Sequence, residues 1–443
     1  MKWMISAIFG MVLATAFPAA GFPEDADAPL MGTVTVQDLI AYAYQNNPSI
    51  QKVHEAWRET VEQYRITTGY PDPELTFSYF PEPIETRLGP QDWTAALNQK
   101  IPFPGKLTQA GKVVEIEARV AHISLDRTIK AVMASVRESY HELLYIRTAK
   151  QVVARNLELL KHLRKVAETG YAKDRAALMD MVKAQAQLGQ IRYDGILLDE
   201  LAFTEITRLN GLLNRPPDET IGRLVGEKVE PVVLDLKELY RLAEANEEEI
   251  RMAKAMVEKA GAEAELAKLE TLPDFKVGFF YASIGTPDVP VQPRDAGRNG
   301  LGIQVGITIP LWFEKNRGRV AKARAGIRKA RAAKEASIND IRTSIHNLFF
   351  HLGNSRRLIQ LYGRDLLPQA ERAMEIAETW YREGESSFSD FVETQAVYYN
   401  FQLSLARAKA DYGKYLARLE QLVGQRITKA PRASNPESQG EMK

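Results

Sequence analysis

The chain has 443 residues, and its 58 lysines and arginines nearly balance its 57 aspartates and glutamates, so the formal net charge is +1. That balance argues against a nucleic-acid partner, which favours a clearly basic face. The sequence contains no cysteine and only six histidines. Disulfides, thiolate metal sites and cysteine nucleophiles are therefore excluded, and we expect neither a metal site nor a cofactor.

The N-terminus has the pattern of an export signal. Lys2 precedes an apolar stretch from Ile5 to Phe17, and the small residues Ala19 and Ala20 follow. This order predicts a cleaved signal peptide over residues 1–21, with an uncleaved membrane anchor as the alternative. No later stretch has the ~18 consecutive apolar residues of a membrane-spanning helix. The mature chain is therefore expected in the periplasm, outside the cell, or in a membrane that it enters through strands.

The sequence is duplicated. Residues 38–50 resemble residues 238–250, and Pro73-Glu74-Leu75 is matched by Pro273-Asp274-Phe275. A period this long indicates two similar halves rather than a solenoid. The predicted halves span residues 34–215 and 235–425, each in the order helix, strand, strand, long helix, helix. The proline-containing segment 216–234 is predicted to link them, and the polar tail 426–443 is predicted to be disordered.

Each half contains an unusually long helical pattern. No proline occurs from Leu107 to Thr169, which would give about 95 Å of helix. In the second half, apolar residues from Ile338 onward recur at steps of three and four, as in a coiled coil, with a kink expected at Pro368. The last helices, about 177–213 and 388–423, are the expected antiparallel partners. Gly170 and Gly384 are predicted at the turns between the helices.

Four segments alternate apolar and small or polar residues, at about 74–80, 93–101, 274–283 and 301–309. The pattern is typical of an outer-membrane barrel, although a soluble half-buried sheet shows it too. Aromatic residues expected at the membrane interfaces favour the barrel; they are Trp93, Tyr281, Trp312 and Phe313. Four strands cannot close a pore, and lipid does not tolerate an open edge, so we expect an oligomer. Strands should become helices at Pro102, Pro104 and Pro310.

Three passages in this order resemble the TolC-type outer-membrane factors over residues 34–425: 101–106, 309–318 and 381–395. The resemblance implies a mainly α fold with a membrane β element, in which three chains form a twelve-stranded outer-membrane barrel continuous with a helical periplasmic tunnel. It implies a passive exit duct of a tripartite efflux system, not an enzyme. The expected partners are two further copies, a periplasmic adaptor, a proton-driven inner-membrane pump and outer-membrane lipid.

The resemblance also suggests functional residues at the tunnel entrance. Asp390 and Glu393 match the family's acidic pair three residues apart, and Asp180 is the first-half equivalent, where Lys183 replaces the second acid. On a helix this spacing puts both carboxylates on one side. The alternative is that these acids only cap and solvate a helix start. Gly170 and Gly384 would mark the tips that contact the adaptor.

Two further interpretations remain open. The passage 312–318 resembles the branch that serves heavy-metal-cation pumps. The same architecture would also serve as an exit duct for type I protein secretion. A periplasmic coiled-coil adaptor or scaffold is the alternative outside the family, although it would not need two hairpins of strands.

Overall fold

The computed structural model describes residues 28–172 and 178–428. The predicted signal peptide and residues 429–443 of the predicted tail lie outside these residues. The start of that tail is not disordered as predicted, because Ile427 is buried in the core and Thr428 pairs with Val232. The first half contains α1 (Ala28–Met31), β1 (Thr33–Val34), α2 (Val36–Asn46), α3 (Pro48–Thr68), β2 (Glu74–Thr86), β3 (Gly89–Ile101), α4 (Lys106–Tyr171) and α5 (Leu178–Leu213). After β4 (Arg223–Leu224), the second half contains α6 (Leu236–Asn246), α7 (Glu248–Leu269), β5 (Phe275–Ile284), β6 (Gly300–Ile307), α8 (Phe313–Gln360), a π-helical segment (Leu361–Leu366), α9 (Leu367–Glu383) and α10 (Phe388–Val423).

The two halves begin with the same capping chemistry. The Thr35 side chain accepts a hydrogen bond from the Asp38 amide at the start of α2. Asp235 accepts from the Glu238 amide at the start of α6. Asn47 then caps α3 through its side chain. Such caps satisfy amides that have no partner in the first helical turn, so each half starts its helix pair at a defined residue.

The four long strands form one antiparallel sheet in the order β2-β3-β5-β6. The register aligns Leu97 with Leu75 on one side and with Phe279 on the other. Most residues on this face are apolar, and Leu75, Leu97 and Phe279 are exposed, whereas Asn98 and Gly278 lie together on the opposite face. Phe280 is an aromatic residue on this second face, where the neighbouring residues are small or polar. Its ring lies over Gly302, and a Cβ atom added at Gly302 would clash with it.

Strand β2 runs six residues beyond its predicted end at residue 80. Its pairing with β3 shifts register between Tyr79 and Ile84, around Pro81 and Pro83. Proline cannot donate a ladder hydrogen bond, but β2 is an edge strand of this sheet, where the loss is tolerated. The prolines that interrupted the sequence pattern therefore do not end the strand.

The helices nearest the sheet form a layer in the same order as the strands. Helix α3 packs on α4, α4 on α7, and α7 on α8. Ion pairs join neighbouring helices, including Arg127–Glu249 at 3.2 Å between α4 and α7. Farther from the sheet, α5 packs on α4, and α10 packs on α4, α8 and α9. Within the described ranges, no helix is both long and apolar enough to cross a membrane.

The segment between the halves is bound to the long helices. Strand β4 pairs in parallel with β1. Arg147 on α4 donates to the carbonyls of Ile221 at 2.8 Å and Gly222 at 2.6 Å. Tyr140 donates to the carbonyl of Val225 at 2.5 Å. Donors on α4 thus satisfy the carbonyls of Ile221, Gly222 and Val225, and this part of the connecting segment is packed against the fold.

The expected irregularity at Pro368 is a π-helical segment immediately before it, over Leu361–Leu366. Proline lacks the amide that a helix interior needs, and its ring crowds the carbonyl four residues earlier. A wider turn relieves that crowding and lets the helix resume as α9, with Pro368 in its first turn.

Candidate functional site

The ends of the two helical hairpins meet at an apolar cluster, which we call the tip cluster. Its buried members are Leu163, Ala184, Met374, Phe388 and Phe391. They come from α4, α5, α9 and α10. The ring of Tyr381 lies 5.5 Å from that of Phe388 and 6.0 Å from that of Phe391. This packing fixes where the first turn of α10 lies relative to both hairpins.

Asp390 lies in that first turn and belongs to a capping box. Its carboxylate accepts hydrogen bonds from the Ser387 amide at 3.2 Å and the Ser387 hydroxyl at 2.8 Å. The Ser387 hydroxyl in turn accepts from the Asp390 amide at 3.2 Å. The capping alternative therefore describes a real contact of Asp390. The side chain is nevertheless exposed, so capping leaves its charge open to solvent.

Glu393 lies one turn farther along α10 and is also exposed. Among the described residues it forms no hydrogen bond or ion pair. Asp180, in the first turn of α5, is half-buried near Tyr381, whose pKa is raised by burial and by the Asp180 charge. Lys183 donates to the Ser389 hydroxyl at 2.5 Å. The three predicted acids therefore lie at one end of the molecule, with a lysine beside them.

The two predicted tip glycines differ. Gly384 ends α9 with φ of 82°, in the left-handed region, and its amide bonds back to the carbonyls of Trp380 and Tyr381. Gly170 lies inside α4, which continues to Tyr171. Gly170 is therefore not itself the turn between α4 and α5, and residues 173–177 lie outside the described ranges. A glycine in a helix interior is no turn signal by itself.

At the other end of the helices, Asp274 connects the two halves. Its Oδ1 accepts from Lys106 Nζ at 2.7 Å and from the Phe103 amide at 3.0 Å. Lys100 Nζ lies 3.2 Å from Oδ2. Burial alone would raise the pKa of Asp274, but the hydrogen bonds from Lys106 and Phe103 outweigh it, and the pKa is lowered. The carboxylate thus stays charged where the sheet becomes helices.

The three predicted junction prolines lie in the passages between strands and helices. Pro102 and Pro104 separate β3 from α4, where Gly105 adopts φ of 92°. Pro310 separates β6 from α8, and its carbonyl accepts from Asn316 Nδ2 at 3.4 Å. Strand β3 therefore ends directly before Pro102, where proline removes a backbone donor, whereas β6 ends at Ile307, three residues before Pro310. In both passages the helix starts within a few residues of the proline.

The four predicted interface aromatics fall into two groups. Trp93 and Tyr281 lie on neighbouring strands with ring centroids 5.2 Å apart, and Phe77 adds a third ring 5.6 Å from Trp93. Trp312 and Phe313 lie at the start of α8 and are 76% and 71% exposed. Trp93 is eight residues from the end of β3, which corresponds to about 26 Å of strand. The two groups thus flank the apolar face of the sheet.

Asp274 was not singled out from the sequence, although Pro273-Asp274 and Pro73-Glu74 are equivalent in the duplication. The available signal was an acid immediately before a strand, together with Lys100 and Lys106 on either side of the strand-to-helix passage of the first half. That signal becomes specific only once β3 is known to pair with β5. Among the described residues, no group of histidine, aspartate and glutamate side chains could hold a metal ion.

Comparison with known proteins agrees with this architecture. The family model described as outer membrane efflux protein matches residues 239–425. The pyoverdine export outer membrane protein OpmQ of Pseudomonas aeruginosa is 22% identical over 309 residues, which cover 64% of this chain and 60% of that relative. The match therefore spans less than two thirds of the relative's length.

Solved structures share the fold. The outer-membrane channel OprN superposes with a TM-score of 0.74 at 17% identity, covering 88% of this chain and 89% of that one. The outer membrane protein VceC of Vibrio cholerae superposes with a TM-score of 0.72 at 18% identity, covering 88% of this chain and 96% of that one. The predicted fold class, mainly helical with a β element, is confirmed. Residues 239–425 thus match the outer membrane efflux protein family, and the fold of the described chain is that of solved outer-membrane channels.

Proposed function

We propose that the chain is the outer-membrane exit duct of a tripartite efflux system, which passively conducts cargo delivered from the inner membrane. The proposal rests on one observation: the sheet and the helical layer end at the same two sides of the chain, and neither side is covered by a further strand or helix of the described chain. Strand β2 and helix α3 lie at one edge, and β6 and α8 lie at the other. A ring of identical copies pairs these edges in both layers at once.

The exposed apolar face of the sheet supports a membrane location for it. Phe77, Leu301 and Ile303 are 63%, 80% and 70% exposed in the single chain. Burying such a face in lipid stabilises it, but edge strands in lipid must be paired. Three copies with four strands each would form a closed barrel of twelve strands, within the range of membrane barrels. The two aromatic groups would then lie at its two interfaces.

The tip would form the periplasmic entrance. In a threefold ring, Asp390 and Glu393 would form two acidic rings one turn apart, and Asp180 would contribute a third group nearby. Acidic rings favour the passage of cations. We propose metal cations as the cargo because of this acidic charge, and because the passage 312–318 resembles the branch of the family that serves heavy-metal-cation pumps. The hairpin end that follows Gly170 and the exposed turn at Gly384 are the proposed contacts with a periplasmic adaptor, which would connect the duct to a proton-driven inner-membrane pump.

The experiment that tests the proposal combines fractionation with imaging. The protein should fractionate with the outer membrane, resist detergent as a trimer until boiled, and appear by electron microscopy as a barrel with a long tubular extension. Deletion should increase sensitivity to divalent metal ions, and the plasmid-borne gene should restore resistance. A monomeric rod in the soluble periplasmic fraction would contradict the duct and favour the adaptor or scaffold alternative.

A further inference from the structure

Helix α8 carries a concentration of positive charge next to the sheet. Residues 315–334 contain no aspartate or glutamate but nine basic residues: Lys315, Arg317, Arg319, Lys322, Arg324, Arg328, Lys329, Arg331 and Lys334. The equivalent stretch of the first half, residues 107–126 of α4, contains only two basic residues and three acidic ones: Lys112, Arg119, Glu115, Glu117 and Asp126. Because both halves form the same long helix after their strands, the duplicated fold does not require this charge.

Three exposed arginines of this stretch form one row, which we call the arginine row. Arg317, Arg324 and Arg331 recur every seven residues, a spacing that returns to the same helix face within about 20°. Phe313 lies one turn before Arg317, within about 40° of the row, and is 71% exposed. Arg319 is not a member, because it turns to Glu270 at the end of α7. The row therefore shares its side of α8 with an exposed aromatic residue.

Farther from the sheet, the same side of α8 is covered by another helix. Ile338 and Ile345 follow Arg331 at the same spacing of seven, and both belong to one apolar cluster with Leu239 of α6. Arg342 on the adjacent turn pairs with Glu244 of α6. The part of this side that α6 leaves uncovered is therefore the part that carries the arginine row.

The charges of the arginine row are poorly compensated within the chain. Among the described residues, Arg324 and Arg331 form no ion pair. Arg317 pairs with Glu314 at 2.9 Å, but the two side chains are 79% and 86% exposed. An ion pair this exposed contributes little to stability and leaves the guanidinium free to bind a stronger partner.

The arginine row begins at the level of the proposed membrane interface. Phe313 starts α8, and Arg317 and Arg324 lie about 6 Å and 16 Å farther along the helix. The headgroup layer of one leaflet is about 5–8 Å thick. Helical side chains tilt toward the N-terminus of their helix, which for α8 is the end nearest the sheet, so long arginine side chains reach back toward the membrane. Arg317 thus lies within the headgroup layer, and Arg324 reaches its border.

We infer that Arg317 and Arg324 bind the phosphate groups of anionic glycerophospholipids in the membrane leaflet nearest the helices, with Phe313 at the boundary of the acyl chains. Basic clusters beside a membrane-spanning segment attract anionic headgroups, and a guanidinium donates two parallel hydrogen bonds to a phosphate. The inference rests on the proposed membrane location and adds the lipid class that the duct binds. The positive charge and the continuity of the row with Phe313 favour lipid over a protein partner.

A matched pair of variants tests this contact. The first combines Arg317→Gln with Arg324→Gln, and the control combines Lys315→Gln with Lys322→Gln. Both remove two charges from the same turns, but the lysines lie about 160° around the helix from the arginines. Each protein would be purified in neutral detergent and mixed with phosphatidylglycerol or phosphatidylcholine, and the bound lipid would be counted by native mass spectrometry.

Wild type and the lysine variant should bind phosphatidylglycerol in preference to phosphatidylcholine. The arginine variant should bind phosphatidylglycerol about 30-fold more weakly, since each basic residue near an anionic surface contributes roughly fivefold. Unchanged binding by the arginine variant, or equal losses in both variants, would overturn the inference.

Other occupants of the arginine row give different results. If inorganic phosphate displaces phosphatidylglycerol at equal concentration, the row is a phosphate site and not a lipid surface. If the arginine variant dissociates into monomers in lipid-free detergent while the lysine variant does not, the row contacts a second copy, and the inference is wrong. Failure of wild-type protein to insert into phospholipid vesicles would instead contradict the proposed membrane location, and the inference with it.

Discussion

Lys106 Nζ donates a 2.7 Å hydrogen bond to Asp274 Oδ1, across 168 residues of sequence and between the two halves of the duplication. Both side chains are largely shielded, at 13% and 15% exposure. Lys106 begins α4, and Asp274 immediately precedes β5. The pair therefore joins the helical layer of one half to the strand of the other, at the level where the proposed barrel would meet the tunnel.

Breaking this pair should destabilise the junction. We expect Asp274→Asn to cost about 2 kcal/mol, because it leaves the Lys106 charge shielded and without its counter-ion. Lys106→Met should cost a similar amount, and the double variant should cost less than the sum of the two. The measurement is the melting temperature of purified protein, with Lys112→Met on α4 as an exposed control. Additive losses would contradict direct coupling between the two side chains.

The turn at Gly384 should not accept a side chain. Its φ of 82° is in the left-handed region, so Gly384→Ala should cost roughly 1–2 kcal/mol of stability. Gly189 is the matched control because it lies exposed within α5 with open space around it. Gly189→Ala should stabilise by about 0.5–1 kcal/mol. Equal melting temperatures for the two variants would contradict the turn argument.

Asp390 and Glu393 of α10 should differ in what they contribute to stability and to selectivity. Glu393→Gln should reduce cation selectivity in planar-bilayer recordings without lowering the melting temperature, because Glu393 is exposed and makes no contact among the described residues. Asp390→Asn should reduce both the cation selectivity and the melting temperature, because the Asp390 carboxylate also accepts hydrogen bonds from Ser387.

Ser387→Ala is the control for capping alone, with an expected cost of about 1 kcal/mol and little change in selectivity. If Glu393→Gln and Asp390→Asn both leave selectivity unchanged, the two acids only cap and solvate α10, and the aperture proposal is wrong.

His141 should make the protein sensitive to acid. Burial, with help from the charges of Arg137 and Lys414, lowers its pKa from 6.5 to about 4. Its Nε2 lies 3.4 Å from Glu227 of the connecting segment, a contact made by neutral histidine at pH 7. The unfolded chain protonates His141 near pH 6.5, whereas the folded chain protonates it only near pH 4. The free energy of unfolding should therefore decrease by about 3 kcal/mol as the pH is lowered from 6.5 to 4.

The measurement compares melting temperatures from pH 7 to pH 4 for wild type, His141→Gln and His162→Gln. His162 is exposed on the same helix and serves as the control. His141→Gln should flatten the acid dependence, whereas His162→Gln should retain it. Because Glu227 also titrates differently when folded, only the difference between wild type and His141→Gln measures the histidine. An unchanged pH profile in His141→Gln would contradict the buried neutral ring.

The sequence by itself determined the features that depend on local pattern. Proline-free stretches and three–four apolar spacing predict the long helices, which the structure extends from Lys106 to Tyr171 in the first half. Period-two alternation predicts the four strands, and a glycine between two helical patterns predicts the turn at Gly384. These signals are read within one or two turns of the chain, where spacing alone decides which side chains share a face.

Only the tertiary structure decided which distant residues meet. The pairing of β3 with β5 brings Lys100 and Lys106 to Asp274, and the packing of α4 against α10 brings Arg137 within 2.5 Å of Glu420. It also decided that β2 continues past its prolines and that Ile221, Gly222 and Val225 of the connecting segment are bound to α4. The contacts of Lys106 with Asp274 and of Arg137 with Glu420 join residues more than a hundred positions apart, where no local spacing distinguishes one pairing from another.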